Sequence, residues 1–270
     1  GELYRRSNVE DLRRAIVAYL RKFHNKAAVT LVPTEGIRRE LIASGYENIE
    51  IIGRGVDTKQ FHPGRRDCAL RARWGVGENE TVALYVGRLA AEKNLALVFR
   101  AFDAMREANP ATRLVLVGDG PERASWQAKR PDAIFCGTRI GEALAAHYAS
   151  GDVFLFPSLT ETWGNVTIEA MASGLAVVAY DCAAAEEIIR HGENGLKALP
   201  EDEAAFIAEA VSLSPAVALQ RRLGSAAAAR AAQLSWDAII DSFERVLLRL
   251  AQPEPADDAQ LDWSSAPRTG

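Results

Sequence analysis

The chain's pattern predicts an α/β fold built on a doubly wound parallel sheet. Three observations lead there. Val82–Val86, Val153–Phe156 and Ala176–Ala179 are short, continuously apolar runs, as expected of strands buried on both faces. Between such runs lie stretches of helical spacing, for example Leu95, Val98, Phe99, Phe102 and Met105. Several runs pass straight into a glycine, at Gly87, Gly118 and Gly137. Loops of this kind lie outside the carboxyl ends of parallel strands, where ligands bind.

Residues 8–26 read as a helix with Leu12, Ile16, Tyr19, Leu20 and Phe23 at helical spacing. It is basic, with Arg5, Arg6, Arg13, Arg14, Arg21, Lys22 and Lys26 against Glu2, Glu10 and Asp11. Contact with anionic lipid headgroups is one reading. A solvated face on a helix packed against further protein is the preferred one, because amphipathic basic helices are common in soluble domains. Ala28–Val32 is a strand closed by Pro33, followed by a helix over Glu35–Ala43, a turn at Gly45 and a strand over Ile49–Ile52. Trp74 and Gly75 close a small helix.

Val82–Val86 leads into Gly87-Arg88-Leu89-Ala90-Ala91-Glu92-Lys93-Asn94. An arginine at a strand end and a lysine at a helix start place two cations beside one pocket. Arginine grips phosphate oxygens through two parallel N–H groups, and lysine acts as a mobile point charge. Alone, the pair is equally a helix-start salt bridge of Lys93 with Glu92 or another acid. A helix over Leu95–Glu107 ends at Asn109-Pro110, and Arg113–Val117 opens into Gly118-Asp119-Gly120-Pro121. That turn lacks the third glycine and the ribose-binding acid of a dehydrogenase fingerprint, so it reads as structural. Ala133–Cys136 is a strand ending at Gly137-Thr138-Arg139, with a helix over Gly141–Ser150.

The stretch 152–174, DVFLFPSLTETWGNVTIEAMASG, is a strand, a polar loop and a short helix with Asn165 as its expected N-cap. The helix start offers N–H groups at Val166 and Thr167 and a positive dipole end, which suits a phosphate. Glu161 and Glu169 bracket it. Carboxylates repel phosphate, so their expected partners are hydroxyls. A diphosphate flanked by hydroxyl-bearing groups fits this pattern, and a nucleotide sugar is such a molecule. Beyond it come a strand over Ala176–Ala179, a helix over Glu186–Arg190, a turn at His191–Gly195, and two alanine-rich helices near 203–213 and 216–232. Ser235 caps a last helix to Leu250, and the proline-rich residues 252–270 read as disordered.

The 270 residues are 48% hydrophobic and 25% charged, enough for a full core without disulfides. A net charge of -4 argues against nucleic acid as a partner. Cys68, Cys136 and Cys182 are odd in number and form no CxxC, which points to a reducing, cytoplasmic compartment and away from a zinc site. The four histidines show no metal-ligand spacing, and no apolar run approaches membrane-spanning length.

Glu161-x-x-Gly164-Asn165-Val166-x-x-Glu169-Ala170-Met171-Ala172-x-Gly174 resembles the donor-site signature of retaining glycosyltransferases of family 4, which have the two-Rossmann-domain GT-B fold. The GR…EK pair at Arg88 and Lys93, the Gly118–Pro121 turn and the Arg54–Asp57 segment resemble the same family. The resemblance implies transfer of a hexose from a UDP- or GDP-sugar to a lipid or saccharide hydroxyl, with retention. Arg88 and Lys93 would stabilise the leaving diphosphate. Glu161, with Gly164 and Asn165, would hold the sugar, while Glu169 would take the ribose hydroxyls. Gly87, Val166 and Thr167 complete the phosphate side, and Gly137, Thr138 and Arg139 would lie near the base.

No metal and no cofactor are expected, because protein cations replace the metal and no Asp-x-Asp stands beside the phosphate site. The implied divisions are 1–48 (end of an acceptor domain and linker), 49–235 (nucleotide-sugar-binding domain), 236–250 (crossover helix) and 251–270 (tail). The Gly1 start leads to the expectation of an excerpt or a product of processing, and the expected location is cytoplasmic, at most peripheral on a membrane's inner face. A non-catalytic nucleotide-sugar binding module and a nucleotide-sugar epimerase of the same fold are the alternatives.

Overall fold

The computed structural model describes residues 2–77, 80–159 and 163–252. The helices are α1 (Glu2–His24), α2 (Glu35–Ala43), α3 (Cys68–Arg73), α4 (Leu95–Ala108), α5 (Arg123–Lys129), α6 (Gly141–Ala149), α7 (Asn165–Ala172), α8 (Ala183–Ile188), α9 (Glu203–Leu213), α10 (Val217–Ala232) and α11 (Trp236–Ala251). The strands are β1 (Thr30–Val32), β2 (Ile49–Ile51), β3 (Val82–Val86), β4 (Arg113–Val117), β5 (Ile134–Gly137), β6 (Val153–Phe156), β7 (Ala176–Tyr180) and β8 (Leu196–Ala198).

β1 and β2 form a small parallel sheet of their own. The other six strands make one parallel sheet in the order β5-β4-β3-β6-β7-β8. The chain winds outward from β3 to β5, returns to lay β6 against β3, and winds outward again. This is the doubly wound arrangement expected from the sequence. Its order reverses between β3 and β6, and the crevice outside their carboxyl ends is where such folds take ligands.

β3, β6 and β7 are buried along their whole length because helices cover both faces of the sheet. The core gathers Leu84, Phe102, Met105, Phe154, Met171, Val178 and Phe206, none more than 1% exposed. Helix starts are fixed by side-chain caps: Thr34 accepts from the Ile37 amide (3.1 Å), Asp67 from Leu70 (3.0 Å) and Asp202 from Ala205 (2.9 Å). Ser235 caps α11 through the Ala238 amide at 3.2 Å, as expected.

The part of the chain around the small sheet meets the large one through helices α2 and α8, where the Glu35 amide donates to Glu187 Oε1 (2.7 Å) and Arg39 pairs with Glu186 (2.8 Å). The connecting segment after β2 crosses the start of α11, with the Val56 amide donating to the Leu234 carbonyl (3.0 Å). A Cβ on Gly55 would stand 2.8 Å from the Trp236 backbone, so glycine is required at that crossing. Two elements escaped the sequence reading. α5 is short and polar, and β8 is a three-residue edge strand containing Lys197.

Candidate nucleotide site at the strand-order reversal

The loops after β3, β4 and β5 are laced together. The Gly87 amide donates to the Val117 carbonyl (3.0 Å), Leu89 to Asp119 (2.9 Å) and Gly118 to Gly137 (3.0 Å). Tyr85, inside β3, donates its hydroxyl to the Arg88 carbonyl at 3.0 Å and so holds the following loop from below. These bonds bring three successive strand ends to one level.

Above them lies an open hollow of about 280 Å³, lined by Gly87, Arg88, Thr138, Arg139, Val166 and Glu169 among the residues singled out from the sequence. Gly118 and Asp119 also line it, so the turn read as structural borders the hollow as well. Gly118 packs against Gly87 too closely for any side chain, which is the structural part of that reading.

Glu169 rises from the second turn of α7 and is half-buried; burial pushes its carboxyl above the ordinary value. The Tyr148 hydroxyl, fully buried on α6, donates to Glu169 Oε2 at 2.9 Å and works the other way. The Tyr148 phenol is itself held well above its ordinary value by burial and by the facing carboxylate. Arg88, which also lines the hollow, is exposed, with Nη1 3.7 Å from Glu92 Oε1. Asp119 accepts from the Gly120 amide and from Arg123 Nη1, both at 2.8 Å, and these bonds lower its carboxyl below the ordinary value.

The remaining expected residues are placed as follows. Lys93 ends a 3-10 turn over Ala91–Lys93 rather than opening α4, whose cap is Asn94 in the left-handed region (φ 54°); it is not among the hollow's lining residues. The cap of α7 is Gly164, at φ 84°, and Asn165 is the first helical residue. Only glycine turns at that φ without strain, so the cap moves back by one residue. The Thr167 amide is used by the Gly164 carbonyl (3.0 Å), and the Thr167 side chain is buried beside Ser158, Trp163 and Tyr180. Gly137 sits at φ 70° beneath the hollow, facing the Arg123 guanidinium. Glu161 lies outside the described residues.

His147 is buried against Trp74 with Nδ1 on the Ala143 carbonyl, and burial lowers its pKa. Among the described residues, no cluster of His, Cys, Asp and Glu could hold a metal ion, and no helix is long and apolar enough to cross a membrane. The sequence reading missed Asp119 and Tyr148. Asp119 carried a weak signal, as a carboxylate in a glycine turn after a strand. Tyr148 carried none, being one aromatic on a helix.

The hollow therefore offers arginines, a helix start and a half-buried carboxylate, a set that can take phosphate oxygens and hydroxyls together. Residues 80–214, half of the chain, match the family model described as Glycosyl transferases group 1. The GDP-mannose-dependent alpha-mannosyltransferase of Mycobacterium tuberculosis (strain CDC 1551 / Oshkosh) is 39% identical over 68% of this chain and 47% of its own length. Sulfoquinovosyl transferase SQD2 of Arabidopsis thaliana is 38% identical over 65% of this chain and 35% of its own. The chain thus spans about half the length, or less, of these relatives. The sucrose-phosphate synthase of Thermosynechococcus elongatus shares the fold, with a TM-score of 0.74 at 24% identity over 88% of this chain and 62% of that one. The chain belongs to the glycosyl transferases group 1 family, with a GT-B type fold.

Proposed function

We propose that this chain is the donor-binding half of a retaining hexosyltransferase that moves a sugar from a UDP- or GDP-hexose to a lipid or saccharide hydroxyl. The observation that carries the reading is one hollow, at the reversal of strand order, lined by both Arg88 and Glu169. The likeness to a GDP-mannose-dependent alpha-mannosyltransferase supports that donor over a UDP-sugar.

In this reading Arg88 and Lys93 neutralise the diphosphate as it leaves, aided by the start of α7. Catalysis then rests on orientation and charge stabilisation rather than on a metal. Glu161, Gly164 and Asn165 hold the sugar, Glu169 takes the ribose hydroxyls, and Gly137, Thr138 and Arg139 border the base. The acceptor and its acid-base group belong to a preceding domain. The uncovered apolar residues of α11, among them Trp236, Ile240, Phe243 and Leu247, support a protein surface packing there. α1 carries exposed Arg14, Arg21 and Lys22 beside Ile16 and Phe23, which supports peripheral contact with an anionic membrane as a second use of that helix.

Calorimetry of the chain against UDP, GDP, ADP and their hexose conjugates tests the proposal. Binding of GDP-mannose with little or no transfer is the expected result. No binding of any nucleoside diphosphate, or robust transfer by these residues alone, would count against it.

A further inference from the structure

We infer that Tyr148 is a positioning residue of this site. It pins one carboxylate oxygen of Glu169 and leaves the other to the ribose hydroxyls of the donor. The inference rests on the proposed role of Glu169 and deepens it.

The geometry is specific. Tyr148 is fully buried, so its hydroxyl must find a partner inside the protein, and that partner is Glu169 Oε2 at 2.9 Å. Its ring is fixed between Phe61 (centroids 5.7 Å, edge on) and Phe154 (5.9 Å), leaving the hydroxyl little freedom to turn elsewhere. A carboxylate has two oxygens and accepts only. With Oε2 occupied from α6, Oε1 is the oxygen left to accept on a side chain that lines the hollow.

The electrostatics point the same way. Burial favours the protonated carboxyl, which would donate and so lose its complementarity to a diol. The phenol hydrogen bond favours the ionised form, and the phenol does not ionise in competition, because burial and the facing carboxylate hold its own proton on. Asp119, the other acid at the hollow, is engaged by Arg123 and Gly120. The charged groups lining the hollow with Glu169 are Arg88, Asp119 and Arg139.

The test compares binding of GDP and UDP with that of their 2′,3′-dideoxy forms to the unaltered chain, Tyr148→Phe, Glu169→Gln and the double variant. Tyr148→Phe keeps the ring and its packing, and a thermal melt of each variant checks that it folds. The unaltered chain should prefer the ribose form by roughly tenfold, as a hydrogen bond to a charged acceptor implies. Tyr148→Phe should cut the preference to about threefold or less and should move its loss on acidification to higher pH. The double variant should match Glu169→Gln, because the tyrosine acts only through the carboxylate.

A preference in the unaltered chain that survives in Tyr148→Phe at every pH overturns the role of Tyr148 alone. Losses that add in the double variant overturn it too. If the unaltered chain binds diphosphate but ignores the ribose hydroxyls, the reading of Glu169 falls and Tyr148 falls with it.

Discussion

A side chain on Gly118 would place its Cβ 1.9 Å from the carbonyl oxygen of Gly87, across two neighbouring strand ends. No rotamer relieves that contact, because both partners are backbone. Gly118 also sits at φ 139°, a region that side chains disfavour.

Gly118→Ala should therefore pry apart the loops that form the floor of the hollow. We expect a loss of about 2–4 kcal/mol, read as a fall of roughly 5–10 °C in the melting temperature. Nucleotide binding, measured well below the transition, should weaken as well. An unchanged melt would mean that the two loops do not lie as close as described.

Lys93→Ala addresses the cation that lies off the hollow's lining. Its effect should fall on the diphosphate: GDP affinity should drop about tenfold while guanosine affinity stays constant. Equal losses for both would show that Lys93 supports the fold and does not meet phosphate.

At the opposite end of the sheet, Asp152 gathers Arg71 Nη1 (2.9 Å), Arg66 Nη2 (2.8 Å) and the Val82 amide (2.8 Å). The Arg71 side chain is 3% exposed, so removing its carboxylate strands a buried charge. Asp152→Ala should cost about 3–5 kcal/mol in a denaturant melt. Binding at the hollow should persist in whatever fraction remains folded, since Asp152 stands at the amino ends of the strands.

Asp132 is held down to a pKa of about 2, first by its hydrogen bond from Arg130. A lowered folded-state value contributes stability above the ordinary 3.8, and that stability is lost as the pH falls from about 4 through 2. The group is partly solvated, so the contribution is under about 1 kcal/mol. Melting curves at stepped pH should converge for the unaltered chain and Asp132→Asn as the pH approaches 2. A difference that stays constant from pH 6 to 2 would argue against the linkage.

Much of the fold was legible because burial imprints local patterns. The apolar runs at β3 and β6 and the helical spacing of α4 located those elements to within a residue. The patterns failed where burial was slight. The polar α5 and the edge strand β8 left no such imprint. Asn165 looked like a cap by residue type, yet the left-handed turn at Gly164 took that place.

From the sequence alone came an α/β chain with glycine turns after its strands, a set of candidate arginine, lysine and glutamate residues, and a family resemblance. These are local properties, written by periodicity and turn chemistry. Only the tertiary structure decided that β3 lies beside β6, so that Arg88 and Glu169 line one hollow, and that Tyr148 reaches Glu169 from another helix. The reason is physical. Strand order and cross-helix contacts are chosen by the packing of the whole sheet, and no short stretch of sequence carries that sum.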